Sequence, residues 1–236
     1  CGLEGLLGKG LGVVIADFNG DGAQEILVAN DGQANFLFKI EQNPGGEIPW
    51  KLREIALTSG VALSRAGYAQ ASMGIAVGDV NNDGLMDLHI TNFLGDSNTF
   101  YENRGELEFV DKVGIASSSR GVLGWGTVFE DFDNDGWLDL FVANGHIEDR
   151  TWAKTAEPFE MPPLLYLNDG TGAFKDVSGE AGSYFSQKWL GRGVAVADLD
   201  DDGFQDIIVA HQRRSPEILI NKSHGEPSVV FQFARV

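Results

Sequence analysis

Four copies of one acidic nine-residue pattern constrain this 236-residue chain more than any other feature. They run Asp17–Glu25, Asp79–Asp87, Asp131–Asp139 and Asp198–Asp206. Position one is always Asp, three is Asp or Asn, five is Asp, six is Gly, and nine is Asp or Glu. So many carboxylates in so short a loop repel one another unless something positive joins them. A lone Asp/Gly motif is most often only a turn. Four copies with the same five positions kept inside one chain argue for a shared ligand instead.

That ligand is expected to be a hard cation. Calcium fits, because it accepts about six to eight oxygens in flexible geometry. Side chains at positions one, three and five alternate through the turn and can converge. Gly at six permits a sharp bend. Position seven varies, as expected if only its backbone carbonyl binds, and position nine returns a carboxylate from the next element. The candidate ligands are therefore Asp17, Asn19, Asp21, Ala23 and Glu25 in loop one, and Asp79, Asn81, Asp83, Leu85 and Asp87 in loop two. Loop three offers Asp131, Asp133, Asp135, Trp137 and Asp139, and loop four Asp198, Asp200, Asp202, Phe204 and Asp206. One Ca²⁺ per loop gives up to four. Loops three and four carry more ligand carboxylates than loops one and two, so tighter binding is expected there.

The EF-hand shares the opening of this pattern but needs a bidentate Glu at position twelve and flanking helices. Position twelve here is Val28, Ile90, Val142 or Val209. Short β-branched runs follow each loop, such as Ile26–Ala29 and Ile207–Ala210, and these predict buried strands. The EF-hand is excluded.

The repeat extends beyond the loop. A Gly and an apolar strand precede it, as in Gly12–Ala16, Gly74–Gly78, Gly126–Glu130 and Gly193–Ala197. Third strands and turns follow at Phe100–Gly105 and Leu165–Gly170, then fourth strands at Glu108–Asp111 and Ala173–Asp176. Four strands every ~50–70 residues is the pattern of β-propeller blades. The fold class is thus all-β, with about four blades near residues 10–60, 72–115, 124–182 and 191–221. An insertion from Glu148 to Pro163 reads as a packed surface loop. Val229–Val236 reads as a strand with no partner in the repeat.

The net charge is −18, and fourteen of the 35 carboxylates lie at positions one, three, five and nine. Four bound Ca²⁺ would bring the net charge to about −10. This field disfavours nucleic acid and anionic lipid as partners, and Arg213–Arg214 is too small a basic patch to reverse it. Cys1 is the only cysteine, so no intrachain disulfide forms. No apolar run is long enough for direct membrane insertion. His89, His146, His211 and His224 lack a zinc-like spacing and read as structural. Trp125 and Trp137 read as packing between blades. No nucleophile–base–orienter set or nucleophile elbow is legible.

The stretches Gly10–Asp17, Val28–Asp31, Thr91–Phe93, Leu123–Thr127 and Val142–His146 resemble the FG-GAP/VCBS-type calcium repeats of integrin α-subunit propellers. Among such proteins the chain is most similar to the ASPIC/UnbV, or cartilage acidic protein-like, family. The resemblance implies a seven-bladed, secreted propeller whose other blades lie outside this chain, with an UnbV segment starting within residues 222–236. A complete four-bladed ring is the alternative. The expected role is a non-enzymatic, extracellular or periplasmic module with structural calcium, serving adhesion or interaction with a protein or glycan on the propeller face. The competing reading is a carbohydrate-active or enzyme-accessory propeller. It would need a central pocket with aromatics and an acid outside the nine-residue loops.

Overall fold

A computed structural model describes residues 3–112, 118–149, 152, 157–223 and 233–235. The described residues form four antiparallel sheets of four strands each. The first sheet contains β1 (Gly10–Ala16), β2 (Glu25–Asn30), β3 (Phe36–Gln42) and β4 (Trp50–Glu54), followed by the short helix α1 (Ala56–Ser59). The second contains β5 (Ser72–Gly78), β6 (Asp87–Asn92), β7 (Thr99–Asn103) and β8 (Phe109–Lys112). The third contains β9 (Gly124–Glu130), β10 (Asp139–Asn144), β11 (Leu164–Asn168) and β12 (Phe174–Asp176). The fourth contains β13 (Gly191–Ala197), β14 (Asp206–His211), β15 (Glu217–Asn221) and β16 (Phe233–Arg235). Strands pair in chain order within each sheet, the meander of a propeller blade.

The last strand corrects one expectation. The terminal segment has a partner in the repeat: β16 pairs with β15 through Asn221↔Phe233 and Ile220↔Ala234. The fourth sheet therefore reaches beyond the 191–221 span expected for it. Phe233 lies edge-on to Phe132, as Phe109 of β8 does to Phe18. The physical reason is that β8 and β16 each cover the aromatic at position two of the preceding sheet's acidic loop, Phe18 and Phe132. Residues 224–232 and 236, the rest of the proposed UnbV start, lie outside the described residues.

Three apolar cores sit between consecutive sheets. Leu27, Leu37 and Phe18 meet Leu88, Ile90 and Tyr101. Met73, Ala76 and Phe100 meet Phe129, Leu140 and Val142. Phe141 and Leu165 meet Ile207, Val209 and Leu219. The second strands of the two middle sheets, β6 and β10, are buried along their whole length because both faces are covered. This is why β10 carries the continuous apolar run Leu140–Ala143, whereas in β6 the second buried face holds His89 and Thr91, which hydrogen-bond to Thr127 and to the Trp125 carbonyl of β9.

The first strands approach one another very closely. A Cβ on Gly12 would overlap the carbonyl oxygen of Met73, one on Gly74 that of Trp125, and one on Gly126 that of Arg192. Only glycine allows this backbone-to-backbone packing. Thr91 stitches the same seam, accepting from the Gly74 amide at 2.8 Å and donating to the Trp125 carbonyl at 2.7 Å.

Candidate metal centres

Each acidic loop joins the first and second strands of its sheet. The flanking register is the same every time: Ala16↔Glu25, Gly78↔Asp87, Glu130↔Asp139 and Ala197↔Asp206. Position nine is thus the first residue of the second strand. The four loops project from one end of the stacked sheets.

Backbone amides shape each loop around its acids. The position-one carboxylate accepts from the amides of positions five and six, at 3.1 and 2.9 Å for Asp131 and at 3.0 and 2.8 Å for Asp79. The position-five carboxylate accepts from the position-seven amide, fixing Ala23, Leu85, Trp137 and Phe204. Gly136 has φ +90° with no atom near its missing Cβ, so glycine is needed there for its backbone conformation and not for space.

Position nine behaves differently. Its carboxylate is buried, and in loops two to four it accepts two amides. Asp139 takes Phe132 N at 3.1 Å and Asn168 N at 3.0 Å. Asp87 and Asp206 do the same with Val80 and Asn103, and with Leu199 and Asn221. In loop one, Glu25 Oε2 accepts from Phe18 N at 3.1 Å, while its buried Oε1 has no hydrogen-bond partner among the described residues.

In loops three and four, the acids of positions one, three and nine converge. Carboxylate oxygens of Asp131, Asp133 and Asp139 lie within 4.8 Å of one another, as do those of Asp198, Asp200 and Asp206. The position-five acids Asp135 and Asp202 stand outside these trios, held toward the position-seven amides. Loops one and two carry Asn19 and Asn81 at position three, each donating to the acid at position five.

Electrostatics mark these groups as lacking positive charge. Burial, reinforced by Asp133 and Asp135, pushes Asp139 up to about 8 against the opposing amide bonds. Burial also pushes Asp87 and Asp133 up to about 6, and raises Glu25. Two exposed acids move the other way. The Ala23 amide lowers Asp21, with Lys39 nearby, and Lys222 lowers Asp200 from 2.8 Å. Lys222 therefore competes for one ligand of loop four, whereas none of the described ion pairs involves an acid of loop three. The oxygen-only donor set, the converging trios and the orphaned Glu25 oxygen together fit a divalent hard cation.

Two sets of residues went unread in the sequence. Position four is Gly20, Asn82, Asn134 or Asp201, each with positive φ, and only Gly, Asn and Asp adopt that region readily. Asn82 and Asn134 also donate to the carbonyls of Gly136 and Gly203 in the next loop, at 3.3 and 2.9 Å. The other set is Asn103, Asn168 and Asn221 at the ends of third strands, of which the first two carry a visible Asn-x-Gly turn and Asn221, followed by Lys222 and Ser223, does not. Each saturates its side-chain amide between two neighbouring loops.

Trp125 packs between sheets as expected, with the Arg192 guanidinium 4.4 Å above its ring. Trp137 lies against the Gly170 turn of its own sheet. His89 meets Thr127 of the neighbouring sheet at 2.9 Å, and His211 meets Tyr184 at 2.9 Å; His224 lies outside the described residues. In the 148–163 insertion Met161 is buried and bridges to Trp189, while Trp152 is 83% exposed. At the end opposite the acidic loops, Phe159, Glu160, Lys188, Gln212, Arg213 and Arg214 help line an open cavity of about 540 Å³.

Stacked four-stranded sheets with an acidic loop between the first two strands define a repeat protein of the propeller-blade class. The FG-GAP-like repeat profile matches residues 17–90, 79–142 and 158–209, and the chain belongs to this family. It is 28% identical to cartilage acidic protein 1 of Xenopus tropicalis over 86% of this chain and 29% of that protein. The human cartilage acidic protein 1 is also 28% identical, over 93% of this chain and 32% of that protein. Human integrin alpha-7 is 26% identical over 68% of this chain and 14% of its own length. The chain thus spans a third or less of these curated relatives. Among solved structures, an Agrocybe aegerita lectin overlays 97% of this chain and 66% of its own at 15% identity and a TM-score of 0.38.

Proposed function

We infer that the chain is a calcium-binding segment of an extracellular propeller, in which the metal is structural and the blades serve adhesion or protein interaction. The observation that carries the reading is the convergence of three carboxylates in each of loops three and four around a buried position-nine acid. Calcium would be held by the side chains of positions one, three, five and nine and the carbonyl of position seven. It supplies the positive charge that the buried acids lack. The comparison with integrin alpha-7 and cartilage acidic protein 1 supports the interaction role. A non-enzymatic role is part of the same reading, since the acids cluster in the loops and not in a cleft.

Thermal unfolding with calcium and with excess EGTA tests it, together with metal analysis. A rise in Tm on the order of 10 °C is expected at millimolar calcium, the range in which extracellular modules bind. No shift and no bound metal would leave the loops as turns alone.

The sites should differ. Asp135→Ala should remove a tighter site than Asp83→Ala, because loop three has an Asp at position three where loop two has Asn81. Loop four is expected to fall below loop three, with Lys222 holding Asp200. Single-site calcium titrations returning equal affinities for loops two and three would defeat this ranking.

A further inference from the structure

The position-nine acids and the third-strand asparagines form one buried hydrogen-bonded relay through all four loops. It starts at Glu25, which accepts from Phe18 N. The Phe18 carbonyl accepts from Asn103 Nδ2 at 2.8 Å, and Asn103 N donates to Asp87 at 2.8 Å. Asp87 accepts from Val80 N at 3.3 Å, and the Val80 carbonyl accepts from Asn168 Nδ2 at 2.7 Å. Asn168 N donates to Asp139, which also holds Phe132 N. The Phe132 carbonyl accepts from Asn221 Nδ2 at 2.7 Å, and Asn221 N donates to Asp206 at 2.7 Å. Phe18, Val80, Phe132, Glu25, Asp87, Asp139, Asp206, Asn103 and Asn221 are all at most 1% exposed, and Asn168 is 4% exposed.

Both Nδ2 donors of every asparagine in the relay are used. The second N–H of each Nδ2 goes to the position-eight carbonyl of its own loop: Met86, Leu138 or Gln205. Each Oδ1 accepts the amide two residues on: Gly105, Gly170 or Ser223. Each asparagine is therefore fixed at once by its own loop and by the loop of the preceding sheet. In a low-dielectric interior such a chain polarises along its length, and a misplaced member leaves its neighbours unpaired.

We propose that Asn103, Asn168 and Asn221 are positioning residues that couple adjacent cation sites, so that filling one loop raises the affinity of the next. This rests on the calcium reading above. A cation that fixes the Asp87 carboxylate also fixes Val80, and through Asn168 it fixes Asp139, the deepest ligand of loop three. The coupling runs between neighbours and needs no movement of a whole sheet.

Trp137 makes the test selective, because only loop three has a tryptophan at position seven. Terbium, a calcium surrogate, bound at loop three is expected to luminesce on tryptophan excitation, and Trp137→Phe assigns that signal. Removing site two with Asp83→Asn should weaken terbium binding at site three by about fivefold, the lower end of ordinary coupling between sites. In an Asn168→Ala background the same change should have no effect on site three. Asn103→Ala, which interrupts the relay between loops one and two, should leave the fivefold effect intact; a general loss of stability would not discriminate in this way. Asn82→Gly removes the surface link from loop two to loop three, and the fivefold effect should survive it. If Asn168→Ala does not fold, Asn221→Ala is read with site four removed by Asp202→Asn, and the same loss of coupling is expected. Terbium binding with no response to Asp83→Asn, or a response abolished by Asn82→Gly and kept in Asn168→Ala, would overturn the relay. No terbium binding to the native chain would overturn the calcium reading and the relay with it.

Discussion

Asp139→Ala should destabilise the chain strongly even in excess chelator, whereas Asp135→Ala should cost little there. Both acids belong to loop three, four residues apart, and metal removal alone would treat them alike. The structure does not. Asp139 is buried and holds the amides of Phe132 and Asn168, so its truncation orphans two buried donors. Each is worth about 1–3 kcal/mol, and relief of the acid's own burial offsets part of the sum. A net loss of about 2–4 kcal/mol is expected. Asp135 is exposed and holds only the Trp137 amide, which water can take over. Denaturant unfolding in EGTA reads both. Equal losses in the two variants would show that position nine is only a ligand and not also a strut.

The second large effect lies at the seam between first strands. Gly74→Ala places a methyl group against the Trp125 carbonyl, and a backbone atom cannot move aside as a side chain can. Overpacking of this kind costs about 1–3 kcal/mol or more. For a domain of this size that is a fall in Tm on the order of 5–10 °C. Gly193 occupies the equivalent place in β13, but there the nearest atom to an added Cβ is Ala210 Cβ at an ordinary 3.7 Å. Gly193→Ala should therefore be nearly neutral in this chain. Neither loss should depend on calcium. Similar melting shifts for the two variants would argue that the seam is looser than described.

Much of this was legible in the sequence because the signals were local. The nine-residue pattern placed all four strand-to-strand loops, and the β-branched runs after them marked β2, β6, β10 and β14. The glycines ahead of the loops were visible as a repeated letter, but their reason was not. It lies in the next sheet, some tens of residues away. The same distance hid the work of Asn168, whose partner Val80 belongs to the preceding sheet. Read locally, Asn168-Asp169-Gly170 is a turn, and that is also true. The last strand was legible but its pairing with β15 was not, because that pairing is fixed by the need to cover Phe132, and neither the spacing nor the composition of residues 222–236 encodes that need.

All four acidic loops emerge at one pole, while Arg213 and Arg214 stand at the other. Without metal the described charge is lopsided, with fourteen loop carboxylates at one pole and a mixed set at the other, where Arg214 pairs with Glu160. Four divalent ions would offset a little more than half of the fourteen loop carboxylates and leave the opposite pole untouched. Calcium concentration would then set how the molecule orients beside any charged surface, whether or not that surface touches a loop.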